Sequence, residues 1–584
     1  MPEAGTTHPS LRQGRINSHH AGQAKVWGRP LPIRVFSAAV ALGLGLTLAA
    51  SGASATPNAT AVPALTTASV ATEVAVIAPL TVPSGSGGLI DAETLADYTD
   101  SLGLLTRQLD AIAGKPIAVA VDPMILASIR VLGTSAPESA RNWLERLSLI
   151  SNEIVPLSYA NADATLATQA GEPSTLTPVS FDFALDAANF ALPDEPGSGA
   201  TADPMDVGAD VVPTYPTTEE ILAWDYSIDG FMRPRVGSIV SSDLAAFAES
   251  GFSTVVLSSK NVSRDAGAGS VATIDGMKAL ISDSTASAAM DEALGSTLDR
   301  DVTAAETALA SAVLSAGAAQ SATTASVLIM IDHSLELSSA RLDTALASLT
   351  ASPSITLVPL TSLASVTASA ATVVDMPQSD ARLADFARLF SAAQQERTFF
   401  SIAADPEALI AQRRLALLDV LGTMPTEDPA DWLTEVNGFL GDSGDFRTAV
   451  AVVESSNFLF LADRSFIPVS VNNNLNQAVT VYITVDPKTA LLAVGDSRVE
   501  LEIEANSQAK GNVPVQALSN GVVDVEISLS TGTGLAIGKS TVSEVNVQAG
   551  WETPIVLAFA ALVVVIFGVG FVRSIIRRRK PVDD

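Results

Sequence analysis

The sequence predicts a (β/α) barrel, then an immunoglobulin-like β-sandwich, then one transmembrane helix. Three observations carry this expectation. Between residue 72 and about residue 445, short near-continuous apolar runs alternate with amphipathic stretches, the pattern of parallel strands buried on both faces under helices. After about Phe446 the pattern turns to short strands alone, with strict apolar–polar alternation in runs such as RVELEIEA and VVDVEISL. Residues 554–572 carry no charge and are followed by Arg573 and the basic run Arg577, Arg578, Arg579 and Lys580.

The elements follow in chain order. Basic residues through Arg34 precede an apolar run at 35–50, and Ala53-Ser54-Ala55 supplies a small-x-small cleavage site. Residues 1–55 therefore read as a secretory signal peptide. An uncleaved anchor helix is the alternative; Gly43, Gly45 and the cleavage site favour removal. Residues 56–71, rich in Ala, Thr, Pro and Val, read as a flexible lead-in. Within 72–445, strands are expected at 73–80, 116–121, 154–159, 221–224, 254–257, 327–331 and 355–360. Helices are expected at 91–113, 139–150, 242–249, 301–316, 380–395 and 407–421. Such a set fits a barrel or an open doubly wound sheet; the barrel is preferred because no nucleotide-type glycine loop interrupts the alternation. The Pro-, Gly-, Asp- and Thr-rich stretch 171–218 reads as a long surface loop, and 441–444 as a linker open to proteases. The sandwich, 446–550, has strands at 466–471, 479–485, 498–505, 511–517, 522–529 and 541–548. The 19 residues of 554–572 span roughly 28 Å as a helix, about one hydrocarbon core. Trp551 suits the outer interface, and the basic cluster keeps the tail, 573–584, in the cytoplasm. A single-pass plasma-membrane protein with an extracytoplasmic ectodomain is expected.

Composition narrows the chemistry. The chain has 584 residues and a formal charge of −30. Between the two basic ends, 23 Lys and Arg face 59 Asp and Glu, a net −36. Such a surface repels phosphate backbones, so nucleic acid is excluded as a partner. The absence of cysteine removes disulfides, thiolate nucleophiles and Cys-ligated zinc, and an exported chain without disulfides fits a bacterium.

A family resemblance emerges from the order of short motifs. Ala120-Val121-Asp122-Pro123, Asn142-Trp143-Leu144, Pro156-Leu157-Ser158-Tyr159-Ala160-Asn161-Ala162-Asp163, Trp224-Asp225, Ser253-Thr254-Val255-Val256-Leu257-Ser258-Ser259 and Ile467-Pro468-Val469-Ser470-Val471-Asn472-Asn473-Asn474-Leu475 follow one another. This order resembles that of an uncharacterised family of actinobacterial envelope proteins. The resemblance covers most of the chain from Thr72 to Lys580. It implies a barrel akin to polysaccharide deacetylases, a sandwich and one span, and a setting near lipid II export in wall biology. Many members carry a further β-domain before the barrel, where this chain has only its short lead-in.

The candidate chemistry rests on carboxylates. A deacetylase-type metal site needs an Asp and two His, but the histidines are His8, His19, His20 and His333, and only His333 follows the signal region. No metal site and no cofactor are expected. Asp122, Asp225 and Asp332 each follow an apolar run directly, and strand carboxyl ends share one face of a parallel barrel. There they are catalytic candidates on a glycosidic bond; helix capping or turn formation is the structural alternative. Tyr159, Trp224 and His333 are the binding candidates, with rim or core packing as the alternative for the aromatics. Three functions compete: a non-catalytic envelope protein that binds wall glycan or a wall-synthesis partner, a carboxylate-dependent glycan hydrolase, and a scaffold for a membrane complex.

Overall fold

Eleven strands of the first part lie in one sheet system: β1 Ala71–Leu80, β2 Ala118–Val121, β3 Ile154–Pro156, β4 Phe231–Met232, β5 Thr254–Ser258, β6 Val262–Arg264, β7 Val271–Ile274, β8 Met277–Ser282, β9 Thr324–Met330, β10 Ile355–Leu357 and β11 Ser369–Val373. The computed structural model describes residues 70–83, 85–190, 215–332, 337–422, 429–453, 458–460, 464–547 and 552–578, all within one unit, 68–584. The expected signal peptide, the lead-in up to residue 69, residues 191–214 of the long loop, and His333 lie outside the described residues.

Seven strands run parallel in the order β3-β2-β1-β9-β8-β5-β4. The segment just before β4 reaches β3 at the other end of this order: the Ser227 N–H donates to the Ile154 carbonyl at 2.8 Å, and Ser227 Oγ accepts the Ile154 N–H at 3.1 Å. Side-chain period explains how the two faces of the sheet are filled. Ala75 and Ile77 of β1, Ala118 and Ala120 of β2, Val155 of β3, Phe231 of β4, Val256 of β5, Leu280 of β8 and Leu328 of β9 share one apolar cluster on the inner face. Their alternates, such as Val74, Val76, Val119 and Val121, pack outward beneath helices. Both faces of these strands are buried, which is why their sequences read as unbroken apolar runs. β7 and β8 form a hairpin turned by Asp275 and Gly276, both at positive φ (49° and 86°). β11 joins β7 in parallel and β6 antiparallel beside it, and β10 extends the pairing along β1.

Two expected elements differ. Residues 221–224 are not a strand: they include the end of the helix Thr218–Leu222, which opens with a capping box between Thr217 and Glu220. Residues 91–113 form two helices, Ala92–Thr99 and Leu104–Ile112.

The second part is a sandwich of nine strands: β12 Val450–Val452, β13 Phe458–Phe460, β14 Arg464–Asn473, β15 Val479–Pro487, β16 Leu492–Val494, β17 Val499–Ile503, β18 Ser507–Ala517, β19 Gly521–Ser530 and β20 Ala536–Val547. One sheet is ordered β12-β14-β18-β16 and the other β13-β20-β19-β15-β17. Ile467, Val469, Val513, Val525, Ile527 and Val545 fill the space between them. Phe399, Phe400 and Leu409 of the preceding part belong to that same core, and Ala403 pairs with Val479. The residues at 441–444 are not a linker. They lie inside the helix Pro429–Thr448, whose Trp432, Val436 and Phe439 are buried, and the sandwich begins at Val450. The last helix, Glu552–Arg578, contains the segment Ile555–Arg578, in which an 18-residue window has mean hydropathy 3.0 and is unburied; the segment is long and apolar enough to cross a membrane.

Candidate functional site

The carboxyl ends of the parallel strands define one face, and the chain treats its two halves differently. Over β1, β2 and β3 the helix Pro406–Val420 closes the face. Asp419 Oδ2 accepts the Gly85 and Gly87 N–H groups at 2.9 Å each, from the loop that follows β1. Gly88 has φ +86°, and a Cβ there would lie 2.3 Å from the Leu415 carbonyl oxygen, so the loop and the helix touch backbone to backbone. The Asp163 N–H donates to the Leu421 carbonyl at 2.8 Å.

Asp122 and Tyr159 sit under this closure. Asp122, 1% exposed, caps the helix Pro123–Val131: its Oδ1 accepts the N–H groups of Met124 and Ala160, both at 2.9 Å. Burial pushes its carboxyl up to about 7, against those hydrogen bonds, and the Asp419 charge adds to the rise. Burial also raises Asp419. The Tyr159 hydroxyl donates to the Gly88 carbonyl, and its ring, 6% exposed, packs against Phe181. Burial holds the phenol well above its ordinary value. Asp122 offers no surface to a ligand in this arrangement, whereas Tyr159, with Leu157, Ser158 and Leu421, edges a cleft of about 390 Å³.

Trp224 and Asp225 lie elsewhere. The Trp224 ring packs under the Arg130 guanidinium at 5.6 Å, and Arg130 Nη1 donates to the carbonyls of Ile221 and Ala223. Arg130 is near the far end of the helix that Asp122 opens. Asp225 is exposed beside it.

The other half of the face, over β4, β5, β8 and β9, is open. A cleft of about 520 Å³ lies there, with Asp332 on its wall. Around it stand Arg233, Arg235, Lys260, Asn261 and Asp291. Arg233 and Arg235 flank Pro234 just beyond β4, where proline keeps the chain extended and sends alternate side chains the same way. Lys260 and Asn261 follow β5. Asp291 projects from the helix Ser284–Gly295, and its Oδ1 accepts the Asp332 N–H at 2.9 Å. Burial pushes the Asp291 carboxyl up to about 6; the Asp332 charge adds to this, while the Asp332 N–H and the Arg233 charge oppose it. Burial lowers Arg233, and the charges of Asp332 and Asp291 counter it. Of the residues expected from sequence that are described, only Asp332 reaches this cleft. The rest of its wall left one sequence signal, the Arg233-Pro234-Arg235 triplet in a stretch of net −36.

These features define a two-part protein, mixed α/β then β-sandwich, with a strand-end cleft and a C-terminal helix of membrane-spanning length and composition. The chain belongs to the family of unknown function DUF6049, whose profile matches residues 36–583. No curated protein matches it. Among solved structures, trypsin-activated alpha-2-macroglobulin from Escherichia coli is similar over 18% of this chain and 7% of its own, at 14% identity and TM-score 0.15. A second E. coli alpha-2-macroglobulin structure is covered over 17% of its own length. WR4, a C. elegans MSP family member, matches 17% of this chain and 98% of its own, at 8% identity and TM-score 0.14. These likenesses are too weak to carry a fold or functional argument.

Proposed function

We propose that this chain is a membrane-anchored binding protein of the cell surface, and that its ligand, an envelope glycan, occupies the open half of the strand-end face. One observation supports this above the others: the cleft of about 520 Å³ has apolar walls at Val256, Leu257 and Met330 and polar groups converging from four strand ends. That mixture of apolar wall and few oriented polar groups suits a sugar, whose rings are flat and whose hydroxyls need partners. The site's position at strand carboxyl ends is where parallel α/β folds place ligands. The inner apolar cluster of the seven-strand path, with the segment before β4 reaching β3, supports a barrel of the polysaccharide deacetylase kind, used here without that family's two-histidine metal site. The uncharged run at 554–572 and the basic residues after it support an extracytoplasmic ectodomain with a cytoplasmic tail.

The test is a binding titration of the full-length chain in detergent micelles with solubilised wall-glycan fragments, set against Ala288→Trp. Ala288 lines the cleft from an exposed position on the helix Ser284–Gly295, so an indole there fills the cleft and removes no hydrogen bond. Binding that is lost in Ala288→Trp supports the reading; binding of equal strength in both defeats it.

One pair of residues favours a hydrolase as the second reading. Asp291 and Asp332 are neighbours in the same cleft, and burial raises the first, the condition under which two carboxylates divide acid and base roles. Release of reducing ends by the wild type but not by Asp291→Asn would establish catalysis.

A further inference from the structure

The open cleft concentrates positive charge in a strongly acidic chain. Arg233, Arg235 and Lys260 face Asp291 and Asp332, so three cations stand against two carboxylates. Two of its donors also lack partners. Arg235 Nη1 is buried and has no acceptor among the described residues, and the same holds for Asn261 Nδ2. Asn261 is 1% exposed, and its Oδ1 is already engaged by the Gly237 N–H at 3.2 Å, which fixes the amide with its NH2 left over. A buried N–H without an acceptor is costly, and a buried guanidinium nitrogen more so. Arg235 is further crowded by a second cation: its charge lowers the pKa of Arg382, whose guanidinium stacks on Trp432 at 4.2 Å and lies 3.5 Å from Asp163. Asp163 thus serves Arg382, and Arg235 is left with unmatched charge at the cleft.

Resting on the reading that the cleft binds a glycan, we infer that its ligand carries a singly charged oxyanion, received by Arg235 Nη1 and Asn261 Nδ2 with Lys260 nearby. Charge-assisted N–H···O⁻ bonds from a guanidinium and an amide are the usual partners of a carboxylate or a phosphodiester. One net positive charge in the cleft matches one negative charge on the ligand. The carboxylates of Asp291 and Asp332 line the same cleft, and sugar hydroxyls suit such neighbours, which favours a carboxylated sugar over a phosphate-linked one. The pocket selects against the neutral sugar because a hydroxyl gives these two donors only a weaker, uncharged acceptor and leaves the positive charge of the cleft unmatched.

The experiment uses the full-length chain in micelles and three small probes: methyl glucuronide, its neutral counterpart methyl glucoside, and dimethyl phosphate. Binding is read by ligand-observed NMR titration for the wild type, Arg235→Gln, Asn261→Asp and Ala288→Trp. Asn261→Asp keeps the acceptor for Gly237 and replaces the free donor with a repelling oxygen, at the cost of a buried carboxylate, so its folding is checked by thermal unfolding; Arg235→Gln breaks no bond through Nη1 and should unfold like the wild type. The expected result is saturable binding of methyl glucuronide, roughly tenfold or more tighter than methyl glucoside, and weakened by a similar factor in each of the two variants. Stronger binding of dimethyl phosphate, equally lost in the variants, also supports the oxyanion site and assigns its source to a phosphodiester polymer. Equal binding of methyl glucoside and methyl glucuronide, insensitive to Arg235→Gln but abolished by Ala288→Trp, overturns the oxyanion and leaves the glycan cleft standing. No saturable binding of any probe overturns the inference.

Discussion

Replacing Asp122 with Asn should stabilise the protein, and only above mildly acidic pH. Both hydrogen bonds that Asp122 accepts, from Met124 and Ala160, end on Oδ1, and an asparagine carbonyl reproduces them. What the substitution removes is a carboxylate that burial holds near 7 rather than its ordinary 3.8. The sign follows from proton linkage. Below about pH 4 the carboxyl is protonated in the folded and unfolded chain alike, and Asp122 carries no charge penalty. Between about 4 and 7 the unfolded chain ionises while the folded one resists, so stability falls as pH rises. Above 7 the penalty is complete and constant. A rise of about three units corresponds to about 4 kcal/mol, the ceiling for what Asn recovers. Thermal unfolding of the full-length chain at pH 4.5 and pH 8, followed by tryptophan emission, reads it out. The melting temperature of Asp122→Asn should match the wild type within about 1 °C at the lower pH and exceed it by several degrees at the higher. Equal shifts at the two pH values would show that the gain does not depend on ionisation, and a loss at pH 8 that Asp122 is stabilised as an anion; either result refutes the linkage argument.

Other outcomes follow from neighbouring contacts. Arg413 makes a bidentate pair with Glu396 at 2.9 and 3.0 Å, with Glu396 1% exposed, so Arg413→Ala should cost about 3–5 kcal/mol. The double change Glu396→Leu with Arg413→Met should recover most of that in chemical denaturation, because no buried charge is left unpaired. Gly88→Ala should destabilise by about 3 kcal/mol, since its Cβ meets the Leu415 backbone and its φ is +86°; an unchanged unfolding midpoint would disprove the backbone-to-backbone closure. Oxyanion affinity should rise about three- to tenfold as pH falls from 8 to 5, because protonating Asp291 near 6 removes a negative charge that faces Arg233, Asp332 and the ligand. Asp291→Asn should flatten that profile in the same titration.

Much of the fold was legible because burial on both faces writes itself into sequence. β5 and β9 read as unbroken apolar runs for that reason, and the alternation in β14 and β19 marks sheets with one wet face. The failures have identifiable causes. The four residues 221–224 are too few for periodicity to separate strand from helix, whereas Thr217 and Glu220, three apart, carried the helix-start signal. The β7–β8 hairpin was missed, although Asp275-Gly276 between two short apolar runs carried its turn signal. Gly438, Gly441 and Gly444 suggested a linker, yet Trp432, Val436 and Phe439 keep helical spacing through the same stretch. The site was less legible. Its residues at 233, 235, 261, 291 and 332, far apart in sequence, converge only because β4, β5, β8 and β9 are neighbours in the sheet. The closure over Asp122 depends on a helix whose buried residues include Arg413 and Asp419, which no apolar stripe would reveal.

Hydrogen exchange of the full-length chain in micelles, with and without solubilised wall glycan, tests the central claim most directly, because it reports where the ligand sits without prejudging which residue holds it. The account predicts slowed exchange confined to the segments that wall the open cleft: 235–240 after β4, 258–262 after β5, and the first turns of the helix Ser284–Gly295. Protection confined to the sandwich strands between residues 464 and 547, with the cleft segments unchanged, would contradict it and move the function to the β-sandwich.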